Sequence, residues 1–201
     1  MKDMKITKIA VYDVEYSHDG VKMHYALTRG SQPEHITTVV IETNQGVVGC
    51  GEVNTRPYYI PGFAAGARAG IAELAPHLIG EDPTQLGKIN QIMDNELRGH
   101  SYVKSAIDIA CWDILGKVAG LPLYVLLGGL LSEELTKLYV SINIDTPEKM
   151  VADISGWRKE GIRIYQPALG QDAGKDIERV RAAASSLRIP SICARSQQLD
   201  R

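Results

Sequence analysis

The sequence predicts an α+β unit of about 130 residues followed by a β-α-β-α-β run, and three changes of pattern along the chain carry that reading. Residues 6–53 alternate apolar and polar side chains and are rich in β-branched types, as half-buried strands are. Residues 63–119 shift to a 3.6-residue period. From residue 137 onward, strand-like and helix-like segments take turns, which is the grammar of a parallel sheet with right-handed crossovers.

The elements follow in order. "ITKIAVYDVEY" (6–16) reads as a first strand and "HITTVVIET" (35–43) as a second. "GVVGCGEV" (46–53) is a third, joined to the second by a two-residue hairpin at Asn44-Gln45 with Gly46 beside it. Residues 18–34 are too polar for core and too long for a tight turn, so they are expected to form a mobile loop. Helices are expected over 63–78, 84–97 and 102–119, the last capped by Ser101 and stopped by Gly120 with Pro122 beyond. "LYVLLGG" closes the unit and "LLSEELTKL" connects it onward. "KLYVSIN" (137–143) opens the second part as a strand, and a helix over 146–160 follows with Thr146 as cap and Pro147 at its first position. "IRIYQPAL" (162–169) is a strand, 174–187 a helix and "IPSICA" (189–194) a third strand.

Composition narrows the classes. With 201 residues, 44% of them hydrophobic, the chain can bury a core. Its net charge of −2, from 22 basic and 24 acidic residues that are well mixed, gives no footprint for nucleic acid or an anionic membrane. Cys50, Cys111 and Cys193 lie far apart and form no disulfide framework or zinc motif, which fits a reducing compartment. The N-terminus is charged where a signal peptide needs apolar residues, and no apolar run is long enough to span a bilayer, so the expected location is the cytoplasm.

Several residues invite a chemical reading and are better read as structure. Asp108 and Asp113 flank a 3/4-spaced core face of Ile107, Ala110, Cys111, Ile114 and Leu115, and no chemistry is assigned to them. The glycines of "GVVGCGE" precede no helix and so make no phosphate loop; a bulged hairpin is expected. His18, His24, His35, His77 and His100 show no metal-ligand spacing.

One stretch carries a family resemblance. "VKSAIDIACWDILGKVAGLPLYVLLGG" (103–129) resembles the signature of the mandelate racemase/muconate lactonizing branch of the enolase superfamily. The match runs through Ser105-Ala106-Ile107-Asp108, Ala110, Asp113, Gly116-Lys117, Pro122-Leu123 and Leu126-Leu127-Gly128, with Val103 as the one departure from a small residue. "GVVGCGE" is similar to the family's meander hairpin, and the resemblance covers roughly residues 4–190. "GIAELAPHLIGEDP" and "RGHSYVKSAIDIACWDILGK" look most like the group of cis-3-hydroxyproline dehydratases and proline-betaine epimerases. The resemblance implies an enolase-type N-terminal capping domain over 1–130 and, over 131–201, the start of a (β/α) barrel cut short after its third strand.

It also implies a chemistry that the residues of this chain do not supply. Intact relatives are expected to be racemases, epimerases or dehydratases that remove the proton α to the carboxylate of a small-molecule substrate, proline-type or acid-sugar, with Mg2+ holding the enolate charge and a base of tuned pKa within reach. The base is commonly a lysine at the end of barrel strand two; with Gly170 set on the family's strand-end glycine, Ala168 stands in its place. Gln166, on the same face, can only hydrogen-bond. The first metal ligand belongs to an Asp-Ala-Asn motif ending strand three, where this chain has Cys193-Ala194-Arg195, a poor oxygen-type site with no base beside the thiol. No catalytic residue, metal ligand or cofactor is therefore assigned to this chain. Asn54, Arg56, Tyr58 and Tyr59, with the loop 18–34, fall where the family's lid loops fall, and these four are the candidates for touching substrate.

Two functions remain in view at this level. One is a truncated, catalytically inactive superfamily member. The other is a non-catalytic interaction module that forms a homo-oligomer through the capping domain and an open sheet edge. In one allowed encoding, residues 193–200 shifted by one base read Val-Leu-Glu-Ala-Asn-Ser-Trp-Thr, close to the family's strand-three segment. The tail from about residue 190 is therefore expected to be a frameshift product, with a natural or an engineered end left open as alternatives. The nucleotide sequence through codons 185–201 should contain the shifted reading if that expectation holds; an encoding that cannot yield it would remove the idea.

Overall fold

The computed structural model describes residues 3–16, 34–57, 62–130, 132, 138–170, 172–187 and 195–196. They fall into two compact units, divided between Leu131 and Ser132.

The first unit opens with three antiparallel strands in the order β1-β2-β3: β1 (Ile6–Tyr16), β2 (Glu34–Thr43) and β3 (Val48–Asn54). The turn between β2 and β3 is one residue longer than the sequence implies. Glu42 pairs with Val48, Gly46 N–H donates to the Thr43 carbonyl, and Gly46 sits at φ +75°, so Asn44, Gln45 and Gly46 form a three-residue loop. Three residues turn the chain here because Gly46 accepts the left-handed conformation that ends such a loop.

Three helices follow, α1 (Ala64–Leu78), α2 (Leu86–Glu96) and α3 (Ser101–Ala119); α1 and α3 lie on one face of this sheet and α2 packs against both of them. Their apolar stripes meet the inward residues of β1, β2 and β3 in one core that contains Ile6, Val39, Ile41, Ile71, Leu74 and Ile107. Each such side chain, fully buried, contributes roughly 2 kcal/mol. The buried face of α3 is broader than the predicted stripe: it runs from Val103 and Ala106 through Ile114 and Gly116, while Leu115 is only half-buried.

Ser101 is not the cap of α3. The chain enters through Gly99 and His100, both left-handed, so Ser101 is already helical and the residue before it makes no side-chain capping bond. A capping side chain needs an extended backbone at that position, and the left-handed entry removes it. The other end agrees with expectation: Gly120 is left-handed, and the Leu121 N–H returns to the Gly116 carbonyl. A short turn of helix, α4 (Leu123–Leu126), follows.

The three-residue loop ending in left-handed Gly46 makes the bulged hairpin that the sequence predicts, whereas Gly49 and Gly51 have a different reason. The β2–β3 register is regular from Ile36↔Asn54 to Glu42↔Val48, so these glycines mark no bulge within the strand. A Cβ at Gly49 would lie 2.2 Å from the Ala110 carbonyl oxygen, and one at Gly51 would lie 1.9 Å from that of Ala106. They are glycine because α3 lies directly on β3.

The second unit is a parallel sheet of order β4-β5-β6, with β4 (Tyr139–Ile142), β5 (Ile164–Leu169) and the two-residue β6 (Arg195–Ser196). The predicted third strand at 189–194 lies outside the described residues, and the pairing seen is Ala168↔Arg195 and Leu169↔Ser196. The β4–β5 ladder ends at Ile142↔Pro167, where proline has no N–H to donate. Helices α5 (Pro147–Lys159) and α6 (Ala173–Leu187) pack with the sheet around Ile142, Met150, Ile154, Tyr165, Ala183 and Leu187. Thr146 caps α5 as predicted, its Oγ1 accepting from the Lys149 N–H at 3.3 Å.

The glycine contacts give a direct test. Gly51→Ala should destabilise the chain by on the order of 2 kcal/mol, because the clash is with helix backbone that cannot rotate away. Gly87→Ala, exposed in α2 with nothing within 4 Å of the new Cβ, should stabilise by about 0.5–1 kcal/mol. Urea midpoints decide; a neutral Gly51→Ala would mean that α3 does not lie against β3.

Candidate functional site

A parallel sheet offers its chemistry at the C-terminal ends of its strands, so the second unit is read from there. Tyr165, Pro167 and Leu169 turn inward to the helices, and Ile164, Gln166 and Ala168 turn to the other face. Ser141 is opposite Gln166 in the register and donates to its Oε1 at 3.4 Å. Ala168 is half-buried beside them. Among the described residues of β4 and β5, this face therefore presents Tyr139, Ser141, Ile164, Gln166 and Ala168: a phenol, a hydroxyl and an amide, with no carboxylate, imidazole or amine to take a proton near neutral pH. Cys193 and Ala194 lie outside the described residues.

The strand ends are held by a network that the sequence pattern does not reveal. Arg179, buried in α6, donates from Nε to the Asp145 carbonyl at 2.7 Å and from NH1 to Asp176 Oδ1 at 2.9 Å. The second oxygen of Asp176 accepts the Gly170 N–H at 2.8 Å. One ion pair thus ties the loop after β4 to the loop after β5. An arginine inside an amphipathic helix reads as a solvated residue; only the tertiary position of Asp145, 34 residues earlier, makes it a tie.

In the first unit, Asn54 ends β3, Thr55 is buried and Arg56 is half-buried just beyond. Tyr58 and Tyr59 lie outside the described residues, as does nearly all of the loop 18–34. The same end of the sheet holds a polar cluster that the motifs of the sequence do not single out. Asp13 Oδ1 lies 3.1 Å from His35 Nδ1 and 3.0 Å from Arg68 NH1, while the hydroxyls of Thr37 and Thr55 are buried with no hydrogen-bond partner among the described residues. Its signal in the sequence is faint: Asp13 and Thr37, which pair across β1 and β2, occupy core-side positions of otherwise apolar alternation.

The two aspartates of the signature are structural. Asp108 Oδ1 accepts from Asn90 Nδ2 at 2.7 Å and joins α3 to α2; Asp113 Oδ2 accepts the Cys50 N–H at 2.9 Å. Cys111 is fully buried on α3, and burial, with a smaller contribution from Asp108, pushes its thiol up to about 12. It is no nucleophile. Among the described residues no group of three His, Cys, Asp or Glu side chains could hold a metal ion.

The sequence profile of the mandelate racemase/muconate lactonizing enzyme N-terminal domain matches residues 7–128. The chain belongs to that family. This family member is 44% identical over 189 residues to a cis-3-hydroxy-L-proline dehydratase of Roseibium aggregatum, an alignment covering 92% of this chain and 50% of the relative. Among solved structures, an enolase-superfamily member from Roseovarius nubinhibens complexed with magnesium superposes with a TM-score of 0.81 at 40% identity, covering 90% of this chain and 49% of that one. A dipeptide epimerase from Enterococcus faecalis, complexed with Mg and the dipeptide L-Leu-L-Tyr, superposes with a TM-score of 0.85 at 29% identity, covering 96% and 53%. The chain spans about half the length of the curated relatives it matches. Its fold is the capping domain of that family followed by the opening β-α-β-α-β of a barrel. Among the described residues, no helix is long and apolar enough to cross a membrane.

Two outcomes follow from the geometry. Arg179→Met should cost about 3 kcal/mol by leaving the largely buried Asp176 unpaired, and should speed amide exchange at Gly170 before it affects α3; unchanged exchange at Gly170 would contradict the tie. Iodoacetamide at pH 8 should label exposed Cys50 and spare Cys111 in the folded chain. Because the folded Cys111 thiol ionises near 12 and the unfolded one near 9, its contribution to stability is full below about pH 9 and is lost as pH rises toward 12. A Cys111→Ala variant should lose that alkaline component of the unfolding profile.

Proposed function

We propose that this chain carries the capping domain and first barrel strands of an enolase-superfamily enzyme acting on a small carboxylate substrate, and that these two units do not by themselves perform the α-proton abstraction. One observation carries the reading: the face of β5 on which the base is expected presents Ala168 beside Gln166. Alanine cannot accept a proton, and the neighbouring amide has no basic lone pair near neutral pH. The substrate class is taken as proline-type because the hydroxyproline dehydratase is 44% identical. Mg2+ is the cofactor of the assembled site, as in the solved relatives complexed with magnesium. The metal would supply electrostatic stabilisation of the enolate.

In this reading Asn54, Arg56, Tyr58 and Tyr59 contact the substrate from the capping side. The position of Asn54 and Arg56 at the end of β3, next to the polar cluster of Asp13, His35 and Arg68, supports it. An arginine there suits a carboxylate, which its planar fork can bind through two hydrogen bonds. The enzyme works in the cytoplasm, a setting that the scattered cysteines favour. The domain boundary falls near residue 130, and a tail beginning near residue 190 departs from the family pattern.

A second reading has its own observation. Leu121, Tyr124, Val125, Leu127 and Leu130 are exposed in and around α4, a run of large apolar side chains that favours burial against another surface. A homo-oligomer of non-catalytic modules would provide one.

Solvent exchange separates the two. The purified chain, with Mg2+ and cis-3-hydroxy-L-proline or proline in D2O, should give no α-proton exchange by NMR above the rate without protein. Metal-dependent exchange would end the inactive reading. Arg56→Ala should weaken any binding of the same ligands by roughly tenfold in calorimetry, the loss of one charge-assisted contact.

A further inference from the structure

An edge strand exposes a row of unpaired N–H and C=O groups, a template on which another chain can add a strand. Strand β3 is such an edge, since among the described residues it pairs only with β2. Its residues Val48–Asn54 contain no proline and a single charge, at Glu52, which are the features of a segment that pairs readily with its own kind. Two of its outward main-chain groups are nevertheless taken. The Val48 carbonyl accepts from Lys117 Nζ at 2.7 Å, and the Cys50 N–H donates to Asp113 Oδ2 at 2.9 Å. Lys117 and Asp113 also bond each other at 2.7 Å, one turn apart on α3.

The choice of groups is informative. In a parallel ladder, an incoming residue donates its N–H to the carbonyl of one residue and accepts at its C=O from the N–H two residues further along. Val48 C=O and Cys50 N–H, either side of Gly49, are such a pair. The ammonium of Lys117 stands where an incoming N–H would be, and the carboxylate of Asp113 stands where the incoming carbonyl would be. The close approach of α3 at Gly49 and Gly51 brings both side chains around the edge of the sheet.

We propose that Asp113 and Lys117 form a seal on the β3 edge, replacing one residue of a neighbouring strand and keeping a second copy of this chain from pairing there. The seal acts on association, and that distinguishes it from a mere staple between helix and sheet.

The test uses the full chain carrying Asp113→Leu and Lys117→Met together, which removes both hydrogen-bonding ends. In dilute solution the Cys50 amide should exchange about tenfold faster than in the parent. On concentration, sedimentation velocity should show larger species than the parent forms, and exchange across Val48–Asn54 should slow again as those species appear. Asp113→Asn with Lys117→Gln keeps an acceptor and a donor, and should behave like the parent. A folded double variant that is less stable yet has the parent's concentration dependence would overturn the seal and leave only a staple. If the double variant does not fold, Lys117→Met alone, which frees only the Val48 carbonyl, is read by the same two measurements: association through 48–54 supports the proposal, and its absence overturns it.

Discussion

The contact of helix α3 with strand β3 is the constraint on which the first unit depends. Two glycines let the backbone of α3 come against the sheet, with the carbonyls of Ala106 and Ala110 in the space where side chains would stand. At that distance dispersion contacts multiply and there is no room for solvent. The helix then buries Val103, Ala106, Ile107, Ala110, Cys111 and Ile114 in one face, and α1 and α2 complete the core around it. The same approach sets Asp113 beside the Cys50 amide, and on the side of α2 Asp108 accepts from Asn90. The carboxylates of the family signature are thus part of the packing of α3, which accounts for their spacing along one helix without giving them any chemistry.

The second unit shows how a parallel sheet fixes the ends of its strands. Its helices bury one face of β4 and β5, and the other face presents Ser141, Gln166 and Ala168. The Arg179–Asp176 pair fixes the loops where the strands end. Such an arrangement holds a rim in place, and a barrel site is assembled from the ends of many strands. The chain spans about half the length of its curated relatives.

Periodicity located almost every element of this protein, because burial on one side imposes a period of two on strands and 3.6 on helices whatever the partner is. The signature at 103–129 added the family, and the profile match over 7–128 agrees with it. Local conformations were less legible. The three-residue turn at 44–46 and the left-handed entry through Gly99 and His100 depend on backbone angles that several residue types can adopt, so neighbouring residues do not dictate them.

What the sequence determined by itself was the order of elements, the inward faces, the family and the lack of a basic side chain at position 168, since each is written in residue types along a single segment. What only the tertiary structure decided was which polar residues meet. Asp113 reaches Cys50 across 63 positions, Arg179 reaches Asp145 across 34, and Asp13 gathers His35 and Arg68 from two other elements. The reasons for Gly49 and Gly51 belong with these, for the sequence shows two small residues in a strand and only the folded chain puts a helix backbone against them. A hydrogen bond is specified by position and direction in space, to within a few tenths of an ångström, and a linear pattern carries no such information until the chain has folded.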